Sequence, residues 1–135
     1  MDLSKAMMIS AAGMKAQSVR MRVISENLAN ASSVAMGPDS DPYRRKVVTF
    51  GNVVDNELGL TRVKVNKVIF DQSDFGLRFE PGHPAADENG YIKTPNVNGL
   101  IEAMDMKQSQ RSYDANLNSI EVSKKMMMRT LDLLR

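Results

Sequence analysis

The chain has 135 residues, of which 42% are apolar and 25% charged, with a net charge of +2. At about 100–200 residues per domain this allows one domain or two small ones, with no room for a cofactor fold beside a substrate domain. The composition is that of an ordinary globular chain and not of a disordered one. With no Cys there is no disulfide framework, no thiolate metal site and no Cys nucleophile, and the single His83 puts multi-His metal sites out of reach. The even charge, lacking a basic block, argues against nucleic acid as a partner. Aromatic residues at 5% argue against a ring-lined pocket for a small-molecule substrate. No run approaches the roughly 18 apolar residues of a membrane span.

Residues 3 to 30 lack Pro, contain one Gly and repeat with a helical period. Steps of four and three from Leu3 lead through Met7, Ser10, Met14, Gln17, Met21, Ile24 and Leu28 to Ala31, a heptad seam interrupted by two polar residues. A second stripe runs through Ile9, Ala12, Ala16, Val19 and Val23. Two stripes call for neighbours on two sides, and one is expected to stay exposed on a lone chain. Ala6 to Met14 has some leader character, but Asp2 precedes it, Lys15 ends it and no cleavage site follows, so it reads as helix.

Asn27 and Asn30 stand three apart at the end of this helix. Asn30 suits the left-handed conformation that stops a helix, and Asn27 suits capping of backbone groups where the chain leaves. That capping role alone does not explain why both are Asn.

In the middle the period becomes two. Val47 to Phe50 with Val53 and Val54, Leu60 to Phe70, and the alternating Phe75, Leu77 and Phe79 read as strands, separated by turn signals at Gly37-Pro38-Asp39, Asn56 to Gly59, Asp71 to Asp74 and Pro81 to Pro84. Gly82 to Gly90 has calcium-loop character in Asp87, Asn89 and Gly90. The register fails, because the first ligand position would be Ala85 and the twelfth Asn96, leaving an acidic turn. His83 has no nucleophile motif beside it and reads as a loop contact. No catalytic, metal or cofactor-binding residues are expected. Tyr43-Arg44-Arg45-Lys46 is a basic cluster in which Arg44 and Arg45 suit salt bridges between subunits, since Arg makes bidentate contacts to carboxylates.

After Pro95, Asn98 is a candidate N-cap, with Glu102 in the first turns, where its charge suits the helix dipole. A helix of about 37 residues, roughly 55 Å long, follows, with a seam through Gly99, Ala103, Met106, Gln110, Tyr113, Leu117, Ile120, Lys124, Met127, Leu131 and Leu134. Leu100, Met104, Ala115, Val122, Met126 and Leu133 form a second line. The expected fold is mainly α with a small β-rich insert: long N- and C-terminal helices, packed as a coiled-coil-like pair, bracket a compact β module. Residues 1–31 and 96–135 form the helical assembly domain and 32–95 the insert. The expected assembly seams are Met7, Met14, Met21, Ile24, Asn27, Leu28, Asn30, Tyr113, Leu117, Ile120, Met127, Leu131 and Leu134. Eleven Met suit contacts with non-identical neighbours.

Val23 to Ala31, VISENLANA, resembles the N-terminal signature of rod and hook proteins of the bacterial flagellar basal body. Asp41 to Lys46, Pro81 to Pro84, Asn89 to Ile92, Pro95 to Asn98 and Arg111 to Asn116 narrow the resemblance, in order and spacing, to the proximal rod family FlgC over essentially the whole chain. The resemblance implies a structural subunit of the periplasm-spanning drive shaft that carries torque to the hook. It also implies partners: copies of itself, other rod proteins, the membrane ring at the rod base and the flagellar type III export apparatus, which passes chains without a cleaved leader. The competing reading is a soluble helical adaptor or export chaperone forming a coiled-coil oligomer; an enzyme ranks third.

Overall fold

The first helix begins where Asp2 turns its carboxylate back on the chain. Its Oδ1 accepts from the backbone N–H of Ser4 and Lys5 at 3.0 and 3.4 Å, satisfying donors that a helix start leaves open. The computed structural model describes residues 2–133. In it α1 spans Leu3–Ala29, followed by β1 (Lys46–Asp55), β2 (Leu60–Phe70), β3 (Gly76–Phe79), β4 (Tyr91–Thr94) and α2 (Gly99–Asp132). The architecture is mainly α, with the β region inserted between two long helices, as the periodicity indicates. Leu134, an expected seam residue, lies outside the described residues.

At the start of α2, Asn98 Oδ1 accepts from Leu100 N–H at 3.0 Å and Ile101 N–H at 3.3 Å, the cap read from the sequence. The end of α1 differs from expectation. No described non-glycine residue has positive φ, so Asn30 does not stop the helix in a left-handed conformation. Its Nδ2 and its backbone N–H both donate to Glu26 O, at 2.8 and 3.1 Å, so the side chain closes the last turn instead.

The strands form two two-stranded sheets, β1 with β2 and β3 with β4. The four residues Asn56 to Gly59 turn β1 into β2, with Gly59 at φ 60°, where an L side chain is strained. In the second sheet Gly76 pairs with Thr94 and Phe79 with Tyr91, antiparallel. The Phe79 and Tyr91 rings meet edge to face at 5.2 Å. β4 is absent from the sequence expectation because four residues are too few to show a period.

Two compact units divide the chain. One comprises Met1–Met21, Val48–Lys67 and Lys107–Arg135. In it Ser10 Oγ donates to Ser119 Oγ at 3.2 Å, and a Cβ placed on Gly13 would lie 2.8 Å from Asn116 Nδ2. Residue 10 thus meets 119 and residue 13 meets 116, so α1 and α2 run antiparallel at close approach. Of the two α1 stripes one is expected to stay exposed, yet the first has no exposed member in this unit and the second is largely covered: Ala16 is buried, Ala12 and Val19 are half-buried, and only Ile9 is exposed. The reason is the length of the β1–β2 hairpin, whose Val63 and Val65 line a groove together with Ala12, Ala16 and Val19.

The other unit comprises Arg22–Val47 and Val68–Met106. Ala35, Ala85 and Ile92 form its apolar cluster, with Val34 and Ala86 packed against it. Val23, Ile24, Asn27 and Glu102 are also buried there.

The tight passage at Gly13 sets a test. Gly13→Leu is expected to cost about 1–3 kcal/mol by overpacking. Gly13→Ala in an Asn116→Ala background is expected to gain up to about 1 kcal/mol through helix propensity. Urea unfolding followed by circular dichroism reads both.

A candidate assembly site: a buried polar lock and an exposed helix face

Asn27 is 1% exposed and Glu102 fully buried. Two polar side chains this deep need partners, and both have them. Asn27 Nδ2 donates to Lys46 O at 2.9 Å and to Glu102 Oε2 at 3.1 Å. Its Oδ1 accepts from Lys46 N–H and from Tyr43 Oη–H, each at 2.9 Å. All four hydrogen-bonding positions of the amide are therefore filled. The side chain pairs with residue 46 as a neighbouring strand would, tying the end of α1 to the start of β1 and to α2. This accounts for Asn at position 27, where an Asp would lack both donors.

Glu102 Oε1 accepts from Arg45 Nε at 2.6 Å. Arg45 also reaches Asp71 Oδ2 at 3.3 Å and Asp105 Oδ2 at 3.8 Å, and its backbone N–H donates to Asn96 Oδ1 at 2.8 Å. Partial burial alone would pull the Arg45 guanidinium's pKa down; the hydrogen bond and charge of Glu102, with Asp71 adding to them, outweigh it and hold the value up. Asn96 Nδ2 donates to Asp71 O, Ser73 O and Ser73 Oγ at 3.0–3.2 Å. Arg44 Nη1 donates to Asp71 O and Ser73 O at 2.9 and 3.1 Å, and its guanidinium lies 4.1 Å from the centre of the Phe75 ring, a cation–π distance. Arg44 and Arg45, expected as subunit salt bridges, thus have their close partners within the chain.

Hydrogen bonding from Ser73 backbone and side chain, then Arg45, holds the Asp71 carboxyl below its ordinary 3.8. The hydrogen bond and charge of Lys46, 2.9 Å away, hold Glu26 below 4.5, and the same pair raises Lys46 above 10.5. Burial raises the Tyr43 phenol.

On α2 the most buried positions of the inward face are polar. Glu102, Ser109 and Ser123 are buried and Asn116 half-buried, seven residues apart, alternating with half-buried Met106, Tyr113, Ile120 and Met127. Small residues at facing positions bring helix axes closer. Of the expected seam, Ile24 and Asn27 are buried; Met7, Met14, Met21, Leu28, Asn30, Tyr113, Ile120 and Met127 are half-buried; Leu117 and Leu131 are exposed. The second α2 line, Leu100, Met104, Ala115, Val122, Met126 and Leu133, is exposed throughout. Sequence reasoning assigned Glu102 only to the helix dipole. The seven-residue spacing of Glu102, Ser109, Asn116 and Ser123 was the signal for a polar inner face.

The family described as flagellar basal body rod FlgEFG protein C-terminal matches residues 88–133, which take in β4 and all of α2, a likeness to flagellar basal-body rod proteins. Over 133 residues the chain is 50% identical to the flagellar basal-body rod protein FlgC of Agrobacterium fabrum, covering 98% of this chain and 96% of the relative. The FlgC of Salmonella typhimurium is 45% identical over 127 residues, 93% and 92% of the two chains, and that of Bacillus subtilis 36% over 140 residues, 93% of each. The chain belongs to the FlgC family of flagellar basal-body rod proteins.

Removing one partner of the buried pair exposes its worth. Arg45→Met is expected to destabilise by about 3 kcal/mol, since it strands Glu102, while Arg45→Met with Glu102→Leu recovers most of that loss; denaturant unfolding of the four chains in the cycle checks it. A second expectation concerns acid. Carboxyls with lowered folded pKa contribute stability that is complete above their unfolded values and lost as pH falls through the folded ones. Unfolding free energy should therefore fall as the pH drops below about 4.5 toward 2, and Asp71→Asn should flatten that slope; an unchanged slope in the variant contradicts the assignment.

Proposed function

We propose that this chain works as a structural subunit of the flagellar basal-body rod, acting by packing and not by turnover, with residues 1–31 and 96–135 as its assembly domain. The observation that carries the reading is the exposed apolar line of α2. Leu100, Met104, Val122, Met126 and Leu133 are 50–87% exposed along a helix of 34 residues, about 50 Å. Large apolar side chains exposed in this way at both ends of one helix mark association, because their burial is worth about 25 cal/mol per Å². The inward polar face of the same helix is already satisfied within the chain, so the outer line is left for neighbours. Family membership supports other rod components as neighbours; copies of this chain and the membrane ring at the rod base complete the proposed set of contacts.

In this role the rod spans the periplasm and carries torque through many simultaneous contacts. The subunit reaches it through the flagellar type III export apparatus with its first helix uncut. Supporting that point, Ala6 to Met14, the leader-like stretch, lies inside α1 and contributes the buried Ser10 and the close-packed Gly13. N-terminal sequencing of the subunit from isolated basal bodies reads it directly.

Met126→Asp and Leu131→Asp change exposed residues, so the free chain should keep its helicity and its stability within about 0.5 kcal/mol. In cells carrying either variant as the sole copy, swimming and rod assembly should be lost. Normal motility with a correctly expressed variant contradicts the reading.

A further inference from the structure

A groove of about 330 Å³ opens within the first unit. Its floor is made of small and β-branched side chains: Ala12, Ala16 and Val19 from α1, Val53, Val63 and Val65 from the hairpin. Lys15, Arg62 and Lys64 stand around it. Arg62 is paired with Asp55 at 2.7 Å. Lys15 and Lys64 are exposed, and among the described residues neither has an acidic partner. The space fits two or three aliphatic side chains, and the free charges at its edge are positive. Its occupant should therefore present an apolar ridge flanked by acids.

This chain carries such a ridge. On α2, Leu117 is 38% exposed and stands between Asp114, three residues before it, and Glu121, four after, both exposed and neither in an ion pair among the described residues. These spacings put all three on one side of the helix, with the acids about 10 Å apart along the axis. Among the exposed apolar residues of the two described helices, only Leu117 is bracketed by acids in this way.

We propose that the groove between α1 and the β1–β2 hairpin receives the Asp114–Leu117–Glu121 ridge of a second copy of this chain. The proposal rests on the rod-subunit reading and names the contact between copies. Leu117 enters the groove against its apolar floor, while Asp114 and Glu121 meet Lys15 and Lys64. The apolar seat supplies most of the attraction and the exposed charges set register, because such pairs are individually weak. Groove and ridge are different surfaces, so a single such contact leaves a groove free on one copy and a ridge free on the other, open to a head-to-tail repeat. It propagates from copy to copy and closes only if the rotation per step allows, the kind of interface that a ring layer or a helical tube requires.

The absence of Cys gives a clean crosslinking background. Val63→Cys and Leu117→Cys are placed together in the full chain, expressed as the sole copy, and basal bodies are oxidised and run without reductant. The expected result is a product of twice the chain mass that needs both substitutions. As a second readout, Lys64→Glu in the same background should lower its yield about three- to fivefold, and adding Glu121→Lys should restore it. No product of that mass, or crosslinking through the thiol of Val63→Cys solely to a chain of another mass, overturns the proposal. Met126→Asp cells distinguish the two failures: if they remain non-motile, the rod-subunit reading stands while the groove contact falls.

Discussion

The carboxylate of Glu102 is the point on which the second unit turns. A fully buried acid is tolerated only if its charge is met at close range, and here Arg45 does so at 2.6 Å while Asn27 donates at 3.1 Å. Each of those partners is held by others. Asn27 is gripped by residues 43 and 46, and Arg45 by Asp71 and, through its backbone, by Asn96. The end of one terminal helix, the first strand, the turn after the second strand and the start of the other terminal helix thus meet around one charge. Hydrophobic burial in this unit is modest, with Ala35, Ala85 and Ile92 as its cluster. A saturated polar network supplies the specificity that so small an apolar core does not.

The same logic accounts for what remains on the outside. A helix has a limited circumference, and α2 spends its inner side on Glu102, Ser109, Asn116 and Ser123, with thin side chains that let α1 come near. Met106, Tyr113, Ile120 and Met127 share that side half-buried, while Leu100, Met104, Val122 and Met126 stay on the outer side. A solitary globular protein rarely leaves so many large apolar residues outside. For a member of a rod family that placement is the expected one, because the interior of the assembly begins where the surface of the subunit ends.

Much of this could be read from the amino acids. Helical period at both ends, period two in the middle, the Asn98 cap and the turn at Asn56 to Gly59 all have local causes, and local causes leave local traces. What escaped has non-local causes. Leu117 and Leu131 match the four-three spacing of a seam, yet Asn116 takes the more buried place beside Leu117, against Gly13, and Leu131 lies in a stretch, residues 128–133, that is exposed throughout. The covering of Ala16 by the hairpin is likewise invisible from α1 alone. β4 is simply too short to declare itself. Arg45 shows the converse: its chemistry was legible, a bidentate donor seeking carboxylates, but whether those lay on the same chain was a question of topology.

The span of the Asn27–Glu102 bond, 75 positions along the backbone, bears on the order in which the molecule is completed. A polypeptide delivered one end first, whether by a ribosome or through a narrow conduit, holds only half of this bond until the remaining stretch has come through. Up to that moment the second unit has the shorter-range ties of Asn27 to residues 43 and 46 and of Arg45 to Asp71, but not the one that brings in α2. A copy that stops short of residue 102 is therefore left without the fastening between the end of α1 and the start of α2.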